Sequence, residues 1–408
     1  MKRKILLCWN YERLSWVTQF EEILDAGEYA FINLFSKELE KARNTKELVL
    51  YWNDFNNVDH LIDAVEPEKV VFMGLDSPYA FLLNYACRKR GIKTYYLQHG
   101  IFHSFEAYLY EERSMRRILG SQKQAAGNSQ NFDSPVVARN NKFFTHSFKI
   151  RRAGLYYRIL KFLVLKKILY STQRALKAVA GEIMQTDRYI VYTKHLSKIF
   201  QERDKVNDSK MIEIGNDEAN KLIDSLLKAD NHSFTEGDYF LFIDEAFTGS
   251  VEYLLPPIVT VQEHNDFLLK LSAYARSKEK RLRVKLHPYS YNVDHFIEDD
   301  NIDYVKQSDI TELISNACGV FGFSSTLLIP AMFVKRACIF KLNNFSHIHQ
   351  ALTQTGYCKV LSFHDFITRD IEFNDELSEK QVQDFIKYFL YKLDDKCLER
   401  LKQVLHSN

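Results

Sequence analysis

Short, strongly apolar runs alternate along this chain with longer stretches whose apolar residues recur at helical spacing. Residues 4–9, 47–52, 70–75 and 94–98 are such runs, and they predict buried strands. Between the last two, residues 77–90 predict a helix closed by Gly91. Residues 189–193 and 211–214 predict two more strands. The polar stretch 230–238 interrupts the alternation and reads as a domain edge. Beyond it the pattern restarts. Strands are predicted at 239–243, 282–286, 318–321 and 337–342, and helices at 261–277, 311–317 and 325–334. Pro330 falls inside the last of these and argues against a regular helix there. Residues 377–401 predict a mostly helical close. Strand and helix in strict alternation mean an α/β protein, with parallel sheets covered by helices on both faces.

With 408 residues the chain exceeds what one core usually organises. We therefore expect two domains, 1–232 and 233–408, with the last helix a candidate to cross back to the first. Hydrophobic residues make up 46% and charged residues 26%, which supports sizeable cores. The formal net charge is only +2, so whole-chain electrostatics give no reason to expect nucleic acid. Cys8, Cys87, Cys318, Cys338, Cys358 and Cys397 form no CxxC pair and no zinc spacing. They read as reduced, buried hydrophobes, which suits a reducing cytoplasm. The apolar run after Met1-Lys2-Arg3-Lys4 is too short for a secretory signal, and no run of about 18 apolar residues predicts a spanning helix.

In parallel sheets, ligands bind beyond the carboxyl ends of the strands, so the residues there matter most. Val284-Lys285-Leu286-His287-Pro288 ends a strand in a cation, an imidazole and a proline that disfavours helix at His287. Lys285 and His287 are suited to a phosphate, or are simply a solvated strand end. Gly322-Phe323-Ser324-Ser325-Thr326 turns a strand into hydroxyl residues before an apolar helix. Ser324 or Ser325 reads as an N-cap, in a setting where free amides also favour an anion. Asp244 and Glu245 follow a strongly apolar strand. Asp244 offers a general base, a nucleophile or a stabiliser of an oxocarbenium-like state, and equally a cap to the next turn. Gln98-His99-Gly100 ends a strand in the first half, with His103 shortly after. Gly100 permits a tight turn and His99 offers acid/base chemistry.

Between Asp133 and Glu182 no acidic residue occurs, and the segment 139–177 interleaves lysines and arginines with apolar and aromatic residues. Such a basic amphipathic segment suits an anionic membrane surface, or a helix packed between domains with a solvated basic face.

These motifs resemble the nucleotide site of bacterial GT-B transferases that build surface polysaccharides. That group includes polysialyltransferases, lipooligosaccharide sialyltransferases, β-Kdo transferases and the CDP-glycerol polymerases of teichoic acid. The resemblance implies two Rossmann-like domains facing a cleft. In CMP-sugar members the His-Pro and Ser-Ser elements engage CMP, which by position assigns His287, Pro288, Ser324 and Ser325, with Lys285, Gly322 and Thr326 beside them. Asp244 falls where sialyl- and Kdo-type members carry an acidic residue, and Gln98-His99-Gly100 resembles an acceptor-side turn. Teichoic-acid polymerases usually show Trp-His-Gly-Thr, whereas this chain has Gln98 and Ile101 in the flanking places. The expectation is therefore transfer of Kdo or sialic acid from a CMP-sugar to a lipopolysaccharide or capsule precursor. No metal or other cofactor is implied, and the expected place is the inner face of the cytoplasmic membrane. Asp244 and His99 are expected to be catalytic, and Gln98, Gly100, His103 and Glu245 to contact sugar. A CDP-glycerol-type or UDP-sugar transferase or epimerase, and a non-catalytic scaffold of polysaccharide assembly, are the alternatives.

Overall fold

The structure, a computed structural model, describes residues 4–8, 14–33, 48–75, 78–100, 185–229, 237–248, 258–291, 296–342, 356–366, 371–373 and 377–407, together with 161, 163–166, 168 and 352. Two compact units divide between Ile214 and Gly215; the chain from Lys396 onward belongs again to the first, while Gly100, shortly after the first unit's strand Lys93–Leu97, is grouped with the second.

The first unit holds β1 (Ile5–Cys8), α1 (Leu14–Ile23), β2 (Tyr29–Asn33), β3 (Leu48–Tyr51), α2 (Val58–Val65), β4 (Lys69–Phe72), α3 (Pro78–Lys89), β5 (Lys93–Leu97), β6 (Arg188–Val191), α4 (Lys198–Asp204) and β7 (Met211–Glu213). Its sheet runs β3-β2-β1-β4-β5-β6-β7, and every pairing is parallel. The second unit holds α5 (Asp217–Lys228), β8 (Tyr239–Ile243), α6 (Val261–Ser277), β9 (Arg281–Lys285), β10 (Ile302–Val305), α7 (Ile310–Ser315), β11 (Ala317–Gly322), α8 (Leu328–Val334), β12 (Ala337–Lys341), β13 (Lys359–Ser362) and α9 (Glu379–Phe385). Its order, β10-β9-β8-β11-β12-β13, is again parallel throughout. Counted from its own first strand this is 3-2-1-4-5-6, the Rossmann order, and the first unit follows the same order with one strand added. Fully parallel sheets are covered on both faces, which is why the strands read as unbroken apolar runs rather than alternating ones.

The domain edge lies earlier than the polar stretch 230–238 suggests. Helix α5 precedes that stretch yet packs on α7 and α8 of the second unit. Its Asn220 Nδ2 also donates to the carbonyls of Lys392 and Asp394 at 2.9 and 3.0 Å. The expected long closing helix is broken as well. A π-helical turn, Ile386–Leu390, follows α9, and Tyr391 at φ 68° reverses the chain. A new helix, α10 (Cys397–His406), then returns to the first unit.

Helix α10 is bound there in two ways. Leu401 and Leu405 enter the core with Ile5, Leu7, Phe20 and Phe31. At its end, where helix carbonyls lack partners, buried Lys69 donates to Leu405 O at 2.5 Å and Ser407 O at 2.6 Å. Replacement Lys69→Met keeps the stem but strips these carbonyls of a charged donor. It is expected to cost about 1–3 kcal/mol. Hydrogen exchange of the Cys397–His406 amides, read beside a thermal melt, checks this, and unchanged protection in α10 would contradict it.

Candidate functional site

In each sheet the strand order reverses once, between β1 and β4 and between β8 and β11. That switch point is where open parallel sheets bind ligands. In the second unit it is formed by Asp244-Glu245 after β8 and Phe323-Ser324 after β11, with His287-Pro288 following the neighbouring β9. Register explains the meeting. Phe242 lies opposite Phe321 in the β8–β11 pair. Three positions further on in each strand, Glu245 and Ser324 leave the sheet side by side.

Asp244 is 3% exposed. Its Oδ2 accepts from the Ser290 hydroxyl at 2.8 Å and from the His287 and Ala246 amides, each at 3.3 Å. Its Oδ1 faces His264 Nε2 across 3.5 Å, an ion-pair approach rather than an aligned hydrogen bond. Burial pushes the carboxyl up, but His264, Ser290 and the His287 amide together outweigh it and hold Asp244 below the ordinary 3.8. Asp244 is thus an ionised group inside the protein, bound to the turn Pro288–Ser290 that presents His287. The turn closes on itself where Ser290 N donates to His287 O at 2.8 Å.

His264 carries no mark in the sequence beyond its place on the inward face of α6, with Phe267, Leu268 and Leu271. A lone histidine in that pattern reads as core. Its position is set by a capping box. Thr260 Oγ1 accepts the Glu263 amide at 3.1 Å, and Glu263 Oε2 accepts the Thr260 amide at 2.8 Å. The helix start is thereby fixed, and the histidine one residue later faces Asp244.

Glu245 turns the other way, to β11. Its carboxylate accepts both the amide and the hydroxyl of Ser324. Burial pushes its pKa up to about 7 against the pull of the Ser324 and Ser325 donors, with Asp244 adding to the rise. The next residue, Ala246, sits at φ 55°, a left-handed conformation that an alanine adopts at a cost of about 1 kcal/mol. Its amide bond to Asp244 and the packing of Phe247 against Phe323, at 4.7 Å between ring centroids, hold it there.

On the β11 side, Phe323 is fully buried against Phe242, Phe247 and Phe267, so Ser324 is carried on an anchored residue. A side chain at Gly322 would require Leu328 to shift. A Cβ there would lie 2.8 Å from Cδ2 of fully buried Leu328. The helix expected from Ser325 begins only at Leu328, because Ser325 forms a preceding turn in which its Oγ accepts the Leu327 amide at 3.3 Å. Pro330 then falls in the first helical turn, where a missing N–H costs little.

The expected phosphate contacts divide accordingly. His287, Ser324 and Ser325 are half-buried, Pro288 and Thr326 are exposed, and all lie at these adjacent strand ends. Lys285 departs from expectation. Its Nζ donates to Leu286 O at 2.9 Å, Lys306 O at 3.1 Å and Tyr291 Oη at 3.4 Å, which takes up its three donors within the fold.

In the first unit, the β5 end carries the half-buried His99 and Gly100 at φ 74°. Gln98 is corrected as a sugar contact, since it is fully buried. Its Oε1 accepts the Tyr192 amide at 3.0 Å and its Nε2 donates to Leu196 O at 3.4 Å, which ties β5 to the chain after β6. His103, and most of 139–177, lie outside the described residues. Among the described residues no group of three His, Cys, Asp or Glu is placed to hold a metal ion.

No protein-family model matches the chain, and no curated protein matches it. Among solved structures, a UDP-glucosyltransferase from Polygonum tinctorium is similar over 100% of this chain and 99% of its own, at 10% identity and TM-score 0.49. The glycotransferase of kitacinnamycin is similar over 99% and 93%, at 9% identity and TM-score 0.45. The wall teichoic acid polymerase TagF is similar over 99% and 88%, at 10% identity and TM-score 0.44. These are likenesses of chain layout, and the tandem pair of Rossmann-like sheets rests on the strand orders themselves.

Glu245 makes stability depend on pH. A carboxyl whose pKa rises from 4.5 to about 7 on folding contributes most below 4.5, and that contribution is lost as pH climbs through about 7. Denaturant unfolding at about pH 5 and about pH 8 is expected to show the protein losing stability relative to Glu245→Gln as pH rises. Parallel curves for the two proteins would show that Glu245 does not titrate in this way.

Proposed function

We propose that this chain is a GT-B glycosyltransferase that moves an acidic sugar, Kdo or sialic acid, from its CMP-activated form to a lipopolysaccharide or capsule precursor. The observation that carries the reading is that the His287-Pro288 turn follows β9 and the Ser324-Ser325 loop follows β11, the two strands that flank β8 at the topological switch point. An imidazole, two hydroxyls and loop amides gathered there suit a nucleotide monophosphate.

In this reading His287, Ser324, Ser325 and the exposed Thr326 hold the phosphate of CMP, which departs as the bond from the anomeric carbon to its oxygen breaks. Gly322 and Pro288 shape the two turns. Asp244 positions His287 through the Pro288–Ser290 turn, in place of the base or nucleophile role, because its oxygens are engaged below the surface. Lys285 binds Leu286 and Tyr291, the residues that flank this turn in the chain. His99, beside Gly100 at φ 74°, is the candidate to take the proton of the attacking acceptor hydroxyl.

Titration calorimetry against CMP, CDP, UMP and UDP tests the nucleotide. CMP is expected to bind, and His287→Ala to weaken it by about tenfold or more, the loss of a hydrogen bond to a charged group. Preference for CDP or for a uridine nucleotide would move the reading to the CDP-glycerol or UDP-sugar alternatives. Absence of binding to all four would favour a non-catalytic scaffold.

The membrane surface belongs to the same proposal. Within 139–177, Leu163, Val164 and Ile168 are 41%, 48% and 63% exposed, and Lys161 and Lys166 beside them are exposed too. Apolar side chains and lysines on one exposed stretch fit an anionic bilayer at the inner face of the cytoplasmic membrane. The protein is expected to sediment with vesicles of roughly one-third phosphatidylglycerol and to be released by high salt. Val164→Asp with Ile168→Asp should abolish sedimentation, and unaltered sedimentation of that variant would remove this segment from the interface.

A further inference from the structure

The loop assigned to the donor phosphate already holds an anion of the protein's own. Glu245 accepts the Ser324 amide and hydroxyl, the groups that the proposed function gives to CMP. We propose that Glu245 is a specificity-determining internal anion, holding the Ser324 donors until a ligand phosphate takes them and leaving only by accepting a proton from solvent. The inference rests on the nucleotide reading of this loop.

Charge decides the mechanism. A phosphate in reach of Ser324 would stand against the Glu245 carboxylate, with ionised Asp244 one residue away. Two like charges at such range destabilise each other in this partly buried site. Among the described residues no lysine or arginine pairs with Glu245, and Lys285 gives its donors to Leu286, Lys306 and Tyr291. The other titratable side chains of the cluster are His264 of α6, which faces Asp244, and His287 of the β9 turn, whose backbone amide donates to Asp244. Protonation of Glu245 therefore remains as the route. One proton moves from solvent to a Glu245 oxygen, no covalent bond to carbon changes, and the carboxylic acid becomes a donor able to face the phosphate. The shift of Glu245 up to about 7 places this proton within reach near neutral pH.

The arrangement selects ligands. A neutral sugar cannot remove Glu245 from Ser324, since it offers the amide no better acceptor than a carboxylate. A phosphate can, and its binding is then coupled to proton uptake.

Calorimetry of CMP binding to the full chain, in two buffers of different ionisation enthalpy, reads that uptake directly. About half a proton is expected to enter at pH 7, together with a loss of affinity of about tenfold between pH 6 and pH 8. Glu245→Gln, which keeps both bonding partners of Ser324 without the charge, is expected to bind CMP about tenfold tighter than the unaltered protein at pH 8 and to take up no proton at this residue. The nucleotide's own phosphate titrates near pH 6 in both proteins, so comparison of the two removes its effect. CMP binding without proton uptake, or weaker binding by Glu245→Gln, overturns the internal-anion role and leaves the nucleotide site standing. Failure of both proteins to bind CMP, CDP, UMP or UDP overturns the nucleotide site and this inference with it. Read on the unaltered protein at pH 8, where the free nucleotide's phosphate is already ionised, the two-buffer measurement tests the uptake even if Glu245→Gln does not fold.

Discussion

The buried carboxylate of Asp244 is the contact on which the site depends. Taking an ionised group out of water costs several kcal/mol unless partners replace the lost hydration. Here a hydroxyl, two amides and an imidazole do so: Ser290 and His287 from the β9 turn, Ala246 from the loop of Asp244 itself, and His264 from α6. Satisfying one charge thereby joins the β8 end to the β9 turn and to α6. His287 has its place because Asp244 requires the His287 amide.

Beneath this polar layer lies an aromatic one. Phe242, Phe267, Phe323 and Phe340 pack edge-to-face or tilted with centroids mostly within 6 Å of one another. A rigid apolar bed of this kind lets the loops above hold conformations that are locally unfavourable. Ala246 keeps a left-handed backbone, and Gly322 keeps the chain close to Leu328. Phe323 is anchored in this bed, and Ser324 beside it turns to Glu245.

The two units use one strand order for different local ends. In the second, acidic and hydroxyl residues converge on the switch point. In the first, the β5 end commits Gln98 to a cross-strand tie and leaves His99 half-buried beside it. Residues adjacent in sequence, such as Gln98 with His99 and Asp244 with Glu245, thus have opposite surroundings. Motif membership alone does not separate them, because alternation along an extended chain turns successive side chains to opposite sides.

The sequence by itself determined the class of fold and where the ends of its strands fall. Fully buried parallel strands must be apolar throughout, so β8, β11 and β12 are visible as runs, and the stretch 261–277 is visible as the helix α6. The strands β2, β10 and β13 escaped notice. β10 and β13 are only partly buried and carry polar residues, while β2 lies between helical and polar stretches that dilute its pattern. Domain membership of α5 and α10 was decided by which apolar face each helix covers, a long-range matter invisible to local composition. The same holds for the chemistry. That Lys285 binds carbonyls, that His264 stands against Asp244, and that Glu245 fills the Ser324 donors all depend on which strand lies beside which. Only the 3-2-1-4-5-6 order, set when the sheet assembles, brings residues 79 positions apart into one hydrogen bond.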